Sequence, residues 1–249
     1  MNIRKLSFAL LFTAIYLVAV YAAPSDAVAS MTVLDKTYIP ALGLSGQPDQ
    51  QAKAKIAFAT FESAWEAFNT RFASEAGFDG EWTEDLDKVG AAVSKARSAL
   101  IDNSNGPKAH EALEAVRMTF LASRTRQKIA YFLDYLTLFH NSMEELLNNK
   151  PAGKIAGWTL EDKAGFAADL DISIARWKKV KAKEGLLPEA ALNAKAGAAY
   201  ATQWQAIDSI VAGIKKAFEA GDEKAFSEKL GQLKPNFIKT FFLFGDFPR

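Results

Sequence analysis

Large apolar residues recur along this chain at spacings of three and four, and that period decides what the chain can fold into. Phe58, Phe61, Trp65, Phe68 and Phe72 fall on one face of an α-helix, because residues three and four apart lie one above the other on the helical surface. Further stripes follow: Leu86, Val89, Val93, Ala96 and Leu100; then Ala109, Leu113, Val116 and Phe120; then Ile129, Phe132, Leu136, Phe139 and Met143. The second half carries Phe166, Leu170, Ile174 and Trp177, then Tyr200, Trp204, Ile207, Val211, Ile214 and Phe218, and finally Phe226, Leu230, Leu233, Phe237, Phe241 and Phe244. No useful length of chain shows the two-residue alternation of a half-buried strand. The predicted fold class is all-α, an antiparallel helical bundle of about six to seven helices.

Helix boundaries are also written in the sequence. Thr83, followed by Glu84 and Asp85, reads as an N-cap with acidic residues placed against the helix dipole. Pro107 suits a first turn, where its missing N–H has no partner to lose. Thr159 with Asp162 resembles a capping box, and Gly221-Asp222 ends one helix and caps the next. Before the first stripe, Met31 to Gln50 contains Pro40, Gly43, Gly46 and Pro48, so residues 23–50 are predicted to be an irregular leader packed against a single helical domain at 51–249.

A faint internal repeat is present. Leu113, Val116, Arg117 and Phe120 fall on Leu230, Leu233, Lys234 and Phe237 at one constant offset. The likeness predicts two related three-helix units joined by an extra segment around Tyr131 to Asn149, or reflects no more than the common pattern of amphipathic helices.

The N-terminus has the layout of an export signal. Arg4 and Lys5 precede an apolar run from Ser7 to Tyr21 that is short for a membrane span, and small residues follow, with cleavage expected after Ala22 or after Ala29. Residues 1–22 are therefore expected to be removed, with no membrane span afterwards, which predicts a periplasmic or secreted protein. The absence of cysteine excludes disulfides, thiolate metal sites and iron–sulfur clusters. With 30 Lys and Arg against 29 Asp and Glu, no electrostatic footprint for nucleic acid exists. Glycine loops for phosphate, zinc-protease motifs and nucleophile elbows are all missing, so no enzymatic activity is indicated.

One constellation points to a chemistry. Both histidines of the chain precede a glutamate by four residues, His110 with Glu114 and His140 with Glu144, and each pair occupies one helical face. If the chain reverses around residue 127, in the polar run Ser123 to Lys128, His110 stands opposite Glu144 and Glu114 opposite His140. The four side chains would then form one site for a divalent transition metal, with a ligand set suited to Zn, Fe, Mn or Cu(II). Carriage, buffering or sensing of that metal is the expected function. No Gly or Pro occurs from Lys108 to Lys150, and a single straight helix there would hold the histidines about 45 Å apart at about 1.5 Å per residue. Arg117 and Asp134 are candidates for supporting the ligands, whereas Met118 and Met143 read as core. The alternatives are a non-catalytic bundle that binds a protein partner or a small apolar ligand, and a bundle holding haem non-covalently.

Overall fold

The apolar stripes become eight α-helices in the computed structural model, which describes residues 25–188, 191–192 and 196–248. The predicted signal segment, 1–22, lies outside the described residues. The helices are α1 (Ser25–Ser45), α2 (Gln51–Phe72), α3 (Trp82–Arg97), α4 (Gly106–Arg126), α5 (Phe132–Asn148), α6 (Leu160–Ala182), α7 (Ala196–Ala220) and α8 (Glu223–Phe242). Among the described residues there is no strand, only an isolated bridge between Ala76 and Phe78. No helix among them is long and apolar enough to cross a membrane.

The largest departure from the sequence reading is α1, which occupies most of the segment expected to be irregular. Met31, Leu34, Tyr38 and Leu42 form its stripe and are all buried, and the Tyr38 hydroxyl donates to the Leu113 carbonyl of α4 at 2.8 Å. Burial of that stripe outweighs the cost of Pro40 within the helix. Proline has no N–H for the Lys36 carbonyl, and the backbone N–H of Asp246 takes that carbonyl instead, at 2.8 Å. A side chain at Gly245 would meet Ile39 and Pro40 at 2.9 Å, so glycine permits the C-terminal segment to lie this close.

The turn from α2 into α3 corrects a second expectation. Thr83 is not the N-cap, since α3 begins at Trp82. Its hydroxyl donates to the Ala73 carbonyl at 3.1 Å, while the Trp82 indole N–H donates to Phe72 O at 2.7 Å. Both side chains thus satisfy carbonyls at the end of α2, groups that a helix cannot pair internally. The other caps form as read: Asp162 N–H donates to Thr159 Oγ1 at 3.0 Å while Thr159 N–H donates to Asp162 Oδ2 at 2.9 Å, and Asp222 Oδ1 accepts from Ala225 N–H at 3.1 Å.

The segment without Gly or Pro is a hairpin, with α4 and α5 separated by residues 127–131. Lys128 adopts a left-handed φ of 58°, Ile129 N–H donates to Arg124 O at 2.9 Å, and Lys128 N–H donates to Thr125 O at 3.2 Å. This is a Schellman closure in which lysine stands where glycine is usual. A buried clamp secures it: Arg124 reaches across the turn to Asp134 through Nε at 2.9 Å and Nη2 at 2.6 Å. Arg126 holds Asp79 and Asp85 from the opposite side.

Helix pairing divides the molecule into halves. α1 packs along α2 and α3 along α4; α5 packs along α6 and α7 along α8. Each half is thus a pair of helical hairpins, and α1, α4, α5 and α8 meet between the halves. The Trp177 indole N–H on α6 donates to Asp208 on α7 at 2.7 Å, tying the second half across its outer side. One hydrophobic cluster runs from Ala27 in α1 to Phe244 beyond α8. Each half thus has four helices rather than the three expected, and the segment expected to be an insertion is α5, which packs along α6 as α1 packs along α2.

Candidate ligand cavity between the two halves

α4 carries His110, Glu114 and Arg117 on one edge of its buried stripe, and α5 carries His140 and Glu144. All four sequence-predicted residues line one cavity of about 520 Å³ at the meeting of α1, α4, α5 and α8. Their pairing differs from the expected one. The reversal falls at 127–131, at the end of the polar run rather than in its middle, because Ser123 to Arg126 remain helical and supply the closing carbonyls. α5 is therefore displaced by about one turn relative to α4, and His140 faces Arg117, with Arg117 Nη2 3.0 Å from His140 Nδ1.

A continuous polar chain results. His110 Nδ1 donates to the Leu42 carbonyl at 2.8 Å, and its Nε2 lies 3.7 Å from Glu114 Oε1. Gly46 makes room for this ring, since a Cβ there would stand 3.1 Å from Nδ1. Glu114 accepts from Arg117, which also donates to His140. His140 Nε2 is 3.5 Å from Glu144 Oε1, and Lys234 Nζ from α8 is 2.8 Å from the same oxygen. Arg117 can only donate, so His140 Nδ1 accepts and Nε2 carries the proton.

Burial pushes the His140 imidazole down to about 3, and the neighbouring charges of Arg117, Lys234 and His110 act in the same direction, against the raising effect of the Asn141 side chain, which accepts from the ring. The ring is neutral at ordinary pH. It packs on Phe237 with centroids 5.0 Å apart, and Phe237, Ile238, Phe241, Phe242 and Leu42 give the cavity an apolar wall. Two polar atoms of its lining residues, both with almost no accessible surface, are left short of partners. Arg117 is 7% exposed and its Nε has no acceptor among the described residues. Glu144 Oε1 is buried and no donor is aligned on it, although Lys234 is close.

The histidines and glutamates share this cavity without converging on a point. Among the described residues, no group of three or more His, Asp or Glu is gathered as a metal would require. Each glutamate is instead adjacent to a cation, Glu114 to Arg117 and Glu144 to Lys234. Asp134, read as a possible support, lies in the hairpin clamp with Arg124. Neither Met118 nor Met143 borders the cavity.

Sequence reasoning missed Lys234 and the phenylalanine wall as site residues. A signal for Lys234 was present, because the repeat aligns it with Arg117, and the two cations indeed stand on corresponding helices at the same cavity. The phenylalanine-rich end of the chain is largely interior, with Phe237, Phe241 and Phe244 buried. Comparison with known proteins gave no match: no family description, curated protein or solved structure is significantly similar to this chain.

Proposed function

We propose that the chain is an exported, non-catalytic helical protein that holds a small organic molecule in the cavity between its halves, for carriage or sensing. The observation that carries this reading is the combination of about 520 Å³ of space, an apolar wall and a buried polar chain. A bare metal ion would use a small part of that volume. Arg117 and Lys234 also oppose a cation at the glutamates they already neutralise. Export is supported by the basic residues Arg4 and Lys5 ahead of the apolar run to Tyr21.

Native mass spectrometry of protein taken from the cell envelope tests this. A co-purifying organic mass is expected in the unaltered chain and should disappear in Ile238→Trp, which fills the cavity mouth while the helical circular dichroism stays the same. An unaltered chain free of organic ligand removes the reading.

A second reading, the binding of Zn, Fe, Mn or Cu(II) through His110, Glu114, His140 and Glu144, is favoured by one observation. His110 gives its Nδ1 proton to the Leu42 carbonyl, the arrangement that leaves Nε2 as a metal-binding nitrogen. It requires Arg117 and Lys234 to release both glutamates. Metal content that is unchanged in a double His110→Ala, His140→Ala variant eliminates it.

A further inference from the structure

We propose that His110 and Glu114 alone form a chelating site for one divalent transition-metal ion, whose remaining coordination positions open into the cavity. The site departs from the four-residue set above and needs no organic occupant. It arises because the fold makes unlike the two His-x-x-x-Glu pairs that the sequence makes alike. In the first pair, His110 donates its Nδ1 proton to the Leu42 carbonyl at 2.8 Å, which leaves the Nε2 lone pair free. Arg117 engages Glu114 through Oε2, and Oε1 is turned to the imidazole. Two acceptors, Nε2 and Oε1, thus face each other at 3.7 Å, beyond hydrogen-bond reach. A zinc ion about 2.1 Å from each of two ligands at the tetrahedral angle holds them about 3.4 Å apart. A side-chain adjustment of about 0.3 Å closes the difference.

Each of these ligands already has the outer partner that metal ligands carry: a carbonyl on the far nitrogen of the imidazole and a guanidinium on the far oxygen of the carboxylate. Both side chains border the cavity and keep 40% and 27% of their surface accessible. The second pair is closed. Arg117 donates to His140 Nδ1, which puts the proton on Nε2, and Lys234 Nζ stands 2.8 Å from Glu144 Oε1. The nitrogen of that pair offers no lone pair to an ion, and its oxygen is already taken. One imidazole and one carboxylate suit Zn or Cu(II). With two protein ligands and the charge of Arg117 nearby, the ion is held more weakly than in a closed four-ligand site and exchanges with solvent. Water, or an oxygen of whatever else enters the cavity, fills the open positions.

Isothermal titration of the chelator-stripped full chain with zinc chloride should show one ion per chain. His110→Ala and Glu114→Gln should each weaken zinc about tenfold or more, whereas His140→Ala and Glu144→Gln should stay within about twofold, with melting curves confirming that all four variants are folded. Copper(II) added to the unaltered chain should give an electron paramagnetic resonance spectrum coupled to one imidazole nitrogen, a readout that needs no variant. Absence of binding at millimolar zinc overturns the proposal, as does a His110→Ala chain that binds like the unaltered one. Equal losses in the His140 and Glu144 variants, or coupling to two nitrogens, overturn it in favour of the four-residue set. The organic occupant is tested separately by the mass that co-purifies, so either reading can fail without the other.

Discussion

At the residue scale, two half-buried groups pull stability in opposite directions with pH. Asp35 on α1 accepts from the Tyr131 hydroxyl, with Arg124 and Asp134 close by. Burial raises its carboxyl to about 6, against the lowering effect of Arg124 and Tyr131. A carboxyl raised on folding adds stability that is full at low pH and is lost as pH rises through about 6. His140 is depressed to about 3, so its contribution is full above the ordinary imidazole range and is lost as pH falls. Between about pH 4 and 6 the two offset each other. Asp35→Asn removes one side of this balance, and its denaturant-derived stability should fall with acidification more steeply than that of the unaltered chain, by up to about 1.4 kcal/mol per pH unit in that window. Parallel slopes for the two proteins would refute the assignment.

Lys128 is the other residue with a measurable consequence. A non-glycine residue in left-handed backbone costs roughly 1–2 kcal/mol, and Lys128 accepts that conformation to close α4. Lys128→Gly should therefore raise the melting temperature, whereas the same change in the middle of a helix would lower it. A lower melting temperature would show that the lysine side chain contributes more than its backbone strain removes.

Among the elements, those with phenylalanine and tryptophan stripes were legible in the sequence, because their period survives any detail of packing. α1 was not, although Met31, Leu34, Tyr38 and Leu42 have helical spacing. Pro40, Gly43 and Gly46 are local signals against a helix, and the compensations lie far away in sequence: Asp246 for the carbonyl freed by Pro40, and the His110 ring beside Gly46. The α4–α5 reversal was legible around residue 127 and is centred about two residues later, because its closing residue is lysine and its clamp joins Arg124 to Asp134 across the turn. That displacement moved Arg117 into the position opposite His140 and replaced a symmetric ligand set with a mixed polar chain. Gly245→Val tests the α1 packing. With Ile39 and Pro40 at 2.9 Å from the new Cβ, the variant should lose about 1–3 kcal/mol and exchange the α1 amides faster than those of α3.

For the molecule as a whole, three helices were expected in each half where the described residues form four. Three helices were read in each half because α1 had been set aside and α5 was therefore left without a counterpart. The complete count places the cavity where the corresponding helices α4 and α8 approach, each contributing a cation. It also bears on processing. Ala27 is fully buried, and Asp26 pairs with Arg71 of α2 at 2.7 Å, so cleavage after Ala29 would remove both from the fold. If the proposed signal is removed, N-terminal sequencing of the mature chain should find Ala23 as the first residue; a start at Ser30 would contradict this.

The bond between Asp246 and the Lys36 carbonyl has a temporal meaning as well. Whatever machinery delivers this chain from its N-terminus onward releases α1 well before the residues that complete it. Through most of that delivery α1 waits with a bare oxygen beside its proline, until Asp246, far along the chain, arrives to act as its latch.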